Sequence, residues 1–219
     1  VESTRDAILE FLLDGTQSTI TGLTLAHFLL GYLSHTSDGS AQIAHHLPRD
    51  GIQAVIERQN SSDASPIRVV HRTCFHVIVD ALSETFQDNE QEEVAEHPLV
   101  TSPAFAYKSI RLLHQLSRNE LTAPPTTRYL RDQKDFINLA LLHLPVIPLN
   151  QDSKATNGTL KFDDGSTVRS SARTLIAFLR YQSELFSLAA LELHITPAES
   201  NEAERIVKAF FENSEHGNQ

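Results

Sequence analysis

Hydrophobic residues recur at steps of three and four along almost the whole of this chain, and no segment alternates convincingly at period two. A chain patterned this way buries its apolar residues as helices packed on helices, so the spacing predicts an all-α fold. Its 219 residues, 40% hydrophobic, are enough to build a core as one helical unit spanning residues 1–219.

The first apolar stretch holds Ala7, Leu9, Phe11 and Leu13 and meets a stop at Asp14-Gly15. Residues 23–33 form a denser run, interrupted only by His27 and Gly31, and read as a buried helix. Two short helical candidates follow at 43–47 and 52–56. Ser65-Pro66 then opens a helix over 66–86, with Val70, Cys74, Val77, Ile78 and Leu82 on one face. Ser102-Pro103 starts a helix through Ala106, Ile110, Leu113 and Leu116. A single helix over 126–144 carries Leu130, Ile137, Leu141 and Leu144 and ends at Pro145. The longest helix spans 167–193, with Ala172, Leu175, Leu179, Phe186, Ala189 and Leu193 as its stripe. Thr196-Pro197-Ala198-Glu199 reads as a capping box opening a last helix through Ile206, Phe210 and Phe211. Two polar segments read as mobile loops: 84–97, with six acidic residues and no basic one, and 150–166, with the turn dipeptides Asn157-Gly158 and Asp164-Gly165.

Helices of uneven length without a fixed-period consensus do not support ankyrin or tetratricopeptide arrays. A closed bundle or a solenoid of degenerate HEAT- or armadillo-like pairs remains. The chain opens at Val1 and contains no methionine, which reads as a section of a longer chain or one whose initiator was removed.

Chemistry-bearing motifs are absent. There is no Gly-x-Ser-x-Gly elbow, no His-Glu-x-x-His, no phosphate-binding glycine loop and no dinucleotide fingerprint. Adjacent His45 and His46 point about 100° apart on a helix, and His71, Cys74 and His76 do not converge. No second ligand pair completes a zinc site, so neither metal nor cofactor is expected. Cys74 falls on the predicted buried face, where a thiol acts as a small hydrophobe, and as the single cysteine it suits a reducing compartment. Arg128, Arg131 and Lys134, interleaved with Asp132 and Asp135, read as a solvated face with local ion pairs. With 28 acidic against 18 basic residues the net charge is −10, which opposes nucleic-acid binding. No apolar run reaches the length of a membrane helix.

Three stretches carry a family likeness. They are Leu25-Ala26-His27-Phe28-Leu29-Leu30-Gly31-Tyr32, then Arg72-Thr73-Cys74-Phe75-His76, then the run from Pro125 through Arg128, Tyr129, Leu130 and Arg131 to Phe136 with Leu142-His143-Leu144-Pro145 after it. Leu191-Glu192-Leu193-His194-Ile195-Thr196 extends the series. In order and spacing they resemble the middle portion of the nucleoporin 192/205 family, the large inner-ring scaffold proteins of the nuclear pore complex.

The resemblance implies a section of a long α-helical solenoid at the nuclear envelope, structural rather than catalytic. It implies scaffold and linker nucleoporins as partners, bound through short apolar segments, in support of nucleocytoplasmic transport. Leu25, Phe28, Leu29, Arg128, Tyr129, Leu130, Arg131 and Phe136 then form its structural motif: Tyr129, Leu130 and Phe136 as packing anchors, Arg128 and Arg131 as ties to helix ends. Apolar surface is expected around residues 7–13 and 206–211, with the net charge favouring partners that have basic flanks. The competing expectation is a karyopherin-like HEAT module that binds phenylalanine-glycine segments.

Overall fold

The computed structural model of the chain describes residues 2–17, 25–30, 33–37, 40–44, 53–55, 68–70, 73–83, 101–120, 122–133, 135–145, 158–161 and 167–216. Its packed body is all-α. Helices α1 (Glu2–Thr16), α2 (Leu25–Leu29) and α3 (Cys74–Ser83) precede α4 (Pro103–Arg118). The chain continues through α5 (Ala123–Arg128), a π turn over Tyr129–Gln133, α6 (Phe136–Leu142), α7 (Ala172–Ile195) and α8 (Asn201–His216). Packing passes from α1 to α4 to α7, and from α7 and α6 to α8, so each layer is covered by its neighbours as in a solenoid.

Helix α4 is central. Pro103 in its first turn has no N–H to lose, and Ala106, Ile110, Leu113 and Leu116 are buried together with Ser109, Leu112 and Ser117. α7 crosses it with Phe178, Tyr181, Leu185, Leu188 and Ala189, and α1 covers it with Leu9, Leu12 and Leu13. These side chains join Phe75, Ile78, Val79 and Leu82 of α3 and Leu130, Phe136, Ile137 and Leu141 in one apolar cluster. Full burial of a large aliphatic or aromatic side chain contributes about 1.5–3 kcal/mol, so this cluster dominates the stability.

Several expectations need correcting in detail. Among the described residues the chain also forms three two-stranded antiparallel hairpins: Leu33–Ser37 with Ser40–Ala44, Gln53–Val55 with Arg68–Val70, and Gly158–Lys161 with Thr167–Ser170. Strand thus stands at 43–44, 53–55, 68–70 and 167–170, within the helices expected at 43–47, 52–56, 66–86 and 167–193; residues 45–47, 52, 56, 66 and 67 lie outside the described residues. Apolar runs this short do not separate a strand from a buried helical turn. In the first hairpin the register runs from Leu33 opposite Ala44 to Ser37 opposite Ser40. The segment 84–97, expected to be mobile, lies outside the described residues. Of 150–166 only 158–161 is described, and it is a paired strand.

The helix boundaries shift for local reasons. Gly15 lies inside α1 instead of ending it: a Cβ there would come within 2.5 Å of Leu25 Cδ2 and 3.2 Å of Leu25 Cβ, so glycine allows α2 its close approach. The stripe of α1 is Leu9, Leu12 and Leu13, with Ala7 and Phe11 turned outward. In α3 the buried face is rotated by one position, to Phe75, Ile78, Val79 and Leu82, which leaves Cys74 and Val77 exposed. In α7, Ala172 and Leu179 face outward while Phe178, Tyr181 and Leu185 point in. Thr196 ends α7 rather than opening α8, its amide donating to Glu192 O at 3.0 Å. The cap of α8 is Ser200, whose hydroxyl accepts the Ala203 amide at 3.2 Å. Glu202 and Glu204 in the first turn suit the positive end of the helix dipole.

Candidate functional site

The segment from Ala123 to Leu142 is broken in two, where one continuous helix was expected over 126–144. Pro124 and Pro125 occupy the first turn of α5, which runs for six residues before the backbone widens into the π turn at Tyr129. Asp135 then takes a left-handed conformation, φ 46°, and α6 starts at Phe136. Asp is among the few side chains that tolerate this region. Backbone bonding survives the break: the Asp135 amide donates to Arg131 O at 3.2 Å, and Asp135 O accepts the Leu139 amide at 3.1 Å.

Each half of the break is tied to a different helix. Arg131, about a third exposed at 32%, donates from Nε to Glu192 Oε1 of α7 at 2.5 Å, and its Nη2 pairs with the same carboxylate oxygen. Nη2 also donates to Thr196 Oγ1 at 3.3 Å, and the Thr196 hydroxyl reaches Glu192 Oε1 at 3.3 Å. Glu192 is only 2% exposed, and a carboxylate so enclosed requires these partners. On the other side Asp135 Oδ2 accepts from Asn138 Nδ2 at 3.1 Å and pairs with Arg205 of α8, which also lies 3.5 Å from Glu202.

A third tie is aromatic. The Tyr129 ring meets Phe75 edge-on at 5.3 Å between centroids and His76 at 4.8 Å, joining the π turn to α3. His76 is buried and oriented by Thr73, whose hydroxyl lies 2.7 Å from Nδ1 and whose amide donates to it at 3.3 Å.

The eight residues of the sequence motif divide accordingly. Leu130 and Phe136 are completely enclosed, Leu29 is buried, and Leu25 and Tyr129 pack against the core from its edge. Arg131 forms the clamp on Glu192. Arg128 is exposed and lies 3.7 Å from Asp132 one turn on, a surface pair rather than a tie to another helix. Phe28 is 75% exposed and stands outside the core cluster. Sequence reasoning placed Asp135 only in local ion pairs and passed over Arg205, Glu192 and Thr196 as partners. The available signal was Glu192, set between Leu191 and Leu193 in the longest helix, where a carboxylate needs a cation beside it.

The arrangement orients helices. Among the described residues no group of three His, Cys, Asp or Glu side chains could hold a metal ion, and no helix is long and apolar enough to cross a membrane. Partial burial raises the Cys74 thiol above its ordinary pKa, and complete burial pushes the Tyr181 phenol up as well; both shifts favour the uncharged forms.

Residues 2–219 match the family described as nuclear pore complex scaffold, nucleoporins 186/192/205. The chain belongs to this scaffold nucleoporin family. Comparison with curated proteins and with solved structures gives no match. Family membership places the chain in the nuclear pore complex at the nuclear envelope, as an all-α section of a scaffold nucleoporin that works among other nucleoporins. The family is one of scaffolds, not of enzymes.

Proposed function

We propose that this chain is a solenoid section of an inner-ring scaffold nucleoporin that acts without catalysis. It holds neighbouring scaffold and linker nucleoporins through short apolar segments and in that way supports nucleocytoplasmic transport. Leu25, Leu29, Tyr129, Leu130 and Phe136 serve as its structural anchors, and Arg131 fixes the angle between helices.

The observation that carries the reading is apolar surface on helices otherwise packed inward. Ile8 and Phe11 of α1 are 50% and 66% exposed, and Phe28 of the adjoining α2 stands out still further. Asp14, exposed three residues beyond Phe11, suits a partner segment with a basic flank, while the exposed Glu10 already pairs with Lys108 of α4 at 2.9 Å. An exposed apolar helix face of this kind can receive an amphipathic segment whose apolar side chains are spaced at three, four and seven.

Titration calorimetry against linker nucleoporin segments and phenylalanine-glycine peptides tests it. Binding of linker segments that weakens at least tenfold in a Phe11→Ser/Phe28→Ser variant is the expected result. Tight binding of the phenylalanine-glycine peptides alone would turn the reading toward a karyopherin-like module.

A further inference from the structure

Helix α7 carries two acidic residues, and both are engaged by other helices. Glu184 accepts from or pairs with His114 of α4 at 2.6 Å, and Glu192 lies buried under Arg131. Glu184 keeps about a quarter of its side chain in solvent, but none of the fully exposed positions of α7 is acidic, on a chain whose net charge is −10. The exposed positions Arg173, Ile176, Arg180, Ser183, Ser187 and Ala190, with Leu179 beside them, follow one line along the helix, since they recur at steps of three and four.

The line has two parts. Toward the N-terminus, Ile176 and Leu179 are half-exposed and are bracketed by Arg173 and Arg180. Arg180 is steadied by the Tyr107 ring of α4, 5.8 Å from its guanidinium carbon to the ring centroid. Toward the C-terminus Ser183, Ser187 and Ala190 are small, which lets another backbone come close. The helix is about 36 Å long at 1.5 Å per residue, enough to seat several turns of a second helix.

We propose that this outer line of α7 docks an acidic amphipathic helix of a partner protein. Charge complementarity fixes the class of occupant. Two guanidinium groups seven residues apart, roughly 10 Å along the axis, call for carboxylates at matching spacing with apolar side chains between them. The surface lies on a different helix from the α1–α2 patch and has the opposite charge preference, so the two stand or fall separately.

The probe is a labelled 18-residue helical peptide with leucines at steps of three and four and glutamates seven apart beside them, followed by fluorescence anisotropy with the 219-residue chain. A control peptide carries lysine in place of each glutamate. The glutamate peptide is expected to bind at least tenfold more tightly than the lysine peptide and to weaken as salt rises. Arg173→Glu/Arg180→Glu should lower its affinity at least tenfold, and Ile176→Ser/Leu179→Ser should lower it too. Phe11→Ser/Phe28→Ser should leave it unchanged. All substitutions are on exposed residues, and circular dichroism checks that each variant keeps its helices; should the arginine variant fail that check, Ala190→Trp replaces it as a steric block with the same expected loss. Equal binding of both peptides, no binding of the glutamate peptide, or an affinity indifferent to the α7 variants would overturn the proposal. Binding that instead follows anionic lipid vesicles while the peptide stays free would overturn it as well.

Discussion

The α4–α7 pair and the broken segment from Ala123 to Leu142 solve the same problem by different means. Across the pair, two continuous helices meet along apolar faces, and the polar contacts His114–Glu184 and Arg180–Tyr107 sit at the edge of that contact. At the break, the backbone cannot supply a straight rod, and buried or half-buried ion pairs with α7 and α8 set the direction in which the chain leaves. Burial supplies the stability in both regions. Polar groups add little to the first and decide the geometry of the second, because an enclosed carboxylate has few satisfactory arrangements.

Apolar burial should contribute equally on the two sides. Leu113 in α4 and Leu130 in the π turn are both fully enclosed, so Leu113→Ala and Leu130→Ala should each cost about 2–5 kcal/mol in urea unfolding. A Leu130→Ala protein as stable as the parent would mean that the break is not part of the core.

The regions should separate at their ion pairs. Arg131→Ala leaves Glu192 enclosed without its cation and should cost about 3 kcal/mol, the lower end for a buried pair because Arg131 is partly solvated. Replacing both partners, Arg131→Leu with Glu192→Leu, should recover most of that loss, since it removes the stranded charge. If the double variant is as unstable as the single one, the pair contributes more than mutual compensation.

The left-handed Asp135 sharpens the same point. Asp135→Gly and Asp135→Ala both lose the bonds to Asn138 and Arg205, but only alanine is left in an unfavourable backbone region. Alanine should therefore be less stable than glycine here by about 1 kcal/mol, the reverse of their order inside an ordinary helix. Matching denaturation midpoints for the two variants would show that the backbone relaxes at this point.

These differences explain what the sequence could disclose. The spacing of Ala106, Ile110, Leu113 and Leu116 announced α4 because the buried face of a straight helix repeats at its own period. The stripes of α3 and α7 came out rotated, since half-exposed Val77 and Leu179 are as apolar as the residues that point inward. The break at Tyr129–Asp135 left no mark in the hydrophobic pattern: Leu130, Ile137, Leu141 and Leu144 fit an unbroken helix equally well, and a π turn preserves burial while changing direction. Arg131 was visible as a cation, but its partner lies 61 residues away, and long-range pairing is not written in local spacing.

The smallest effect belongs to the edge of the α4–α7 pair. His114 and Glu184 are close, at 2.6 Å, yet both side chains retain contact with solvent, and neither supports an enclosed charge. Glu184→Gln keeps the shape and an acceptor oxygen, so it should cost less than about 1 kcal/mol, as partly solvated pairs do. The measurement is a urea midpoint for Glu184→Gln set beside that of Arg131→Ala in the same buffer. A loss at Glu184 equal to the loss at Arg131 would mean that the straight pair, too, is oriented by its polar contact, and the division between the two regions would fail.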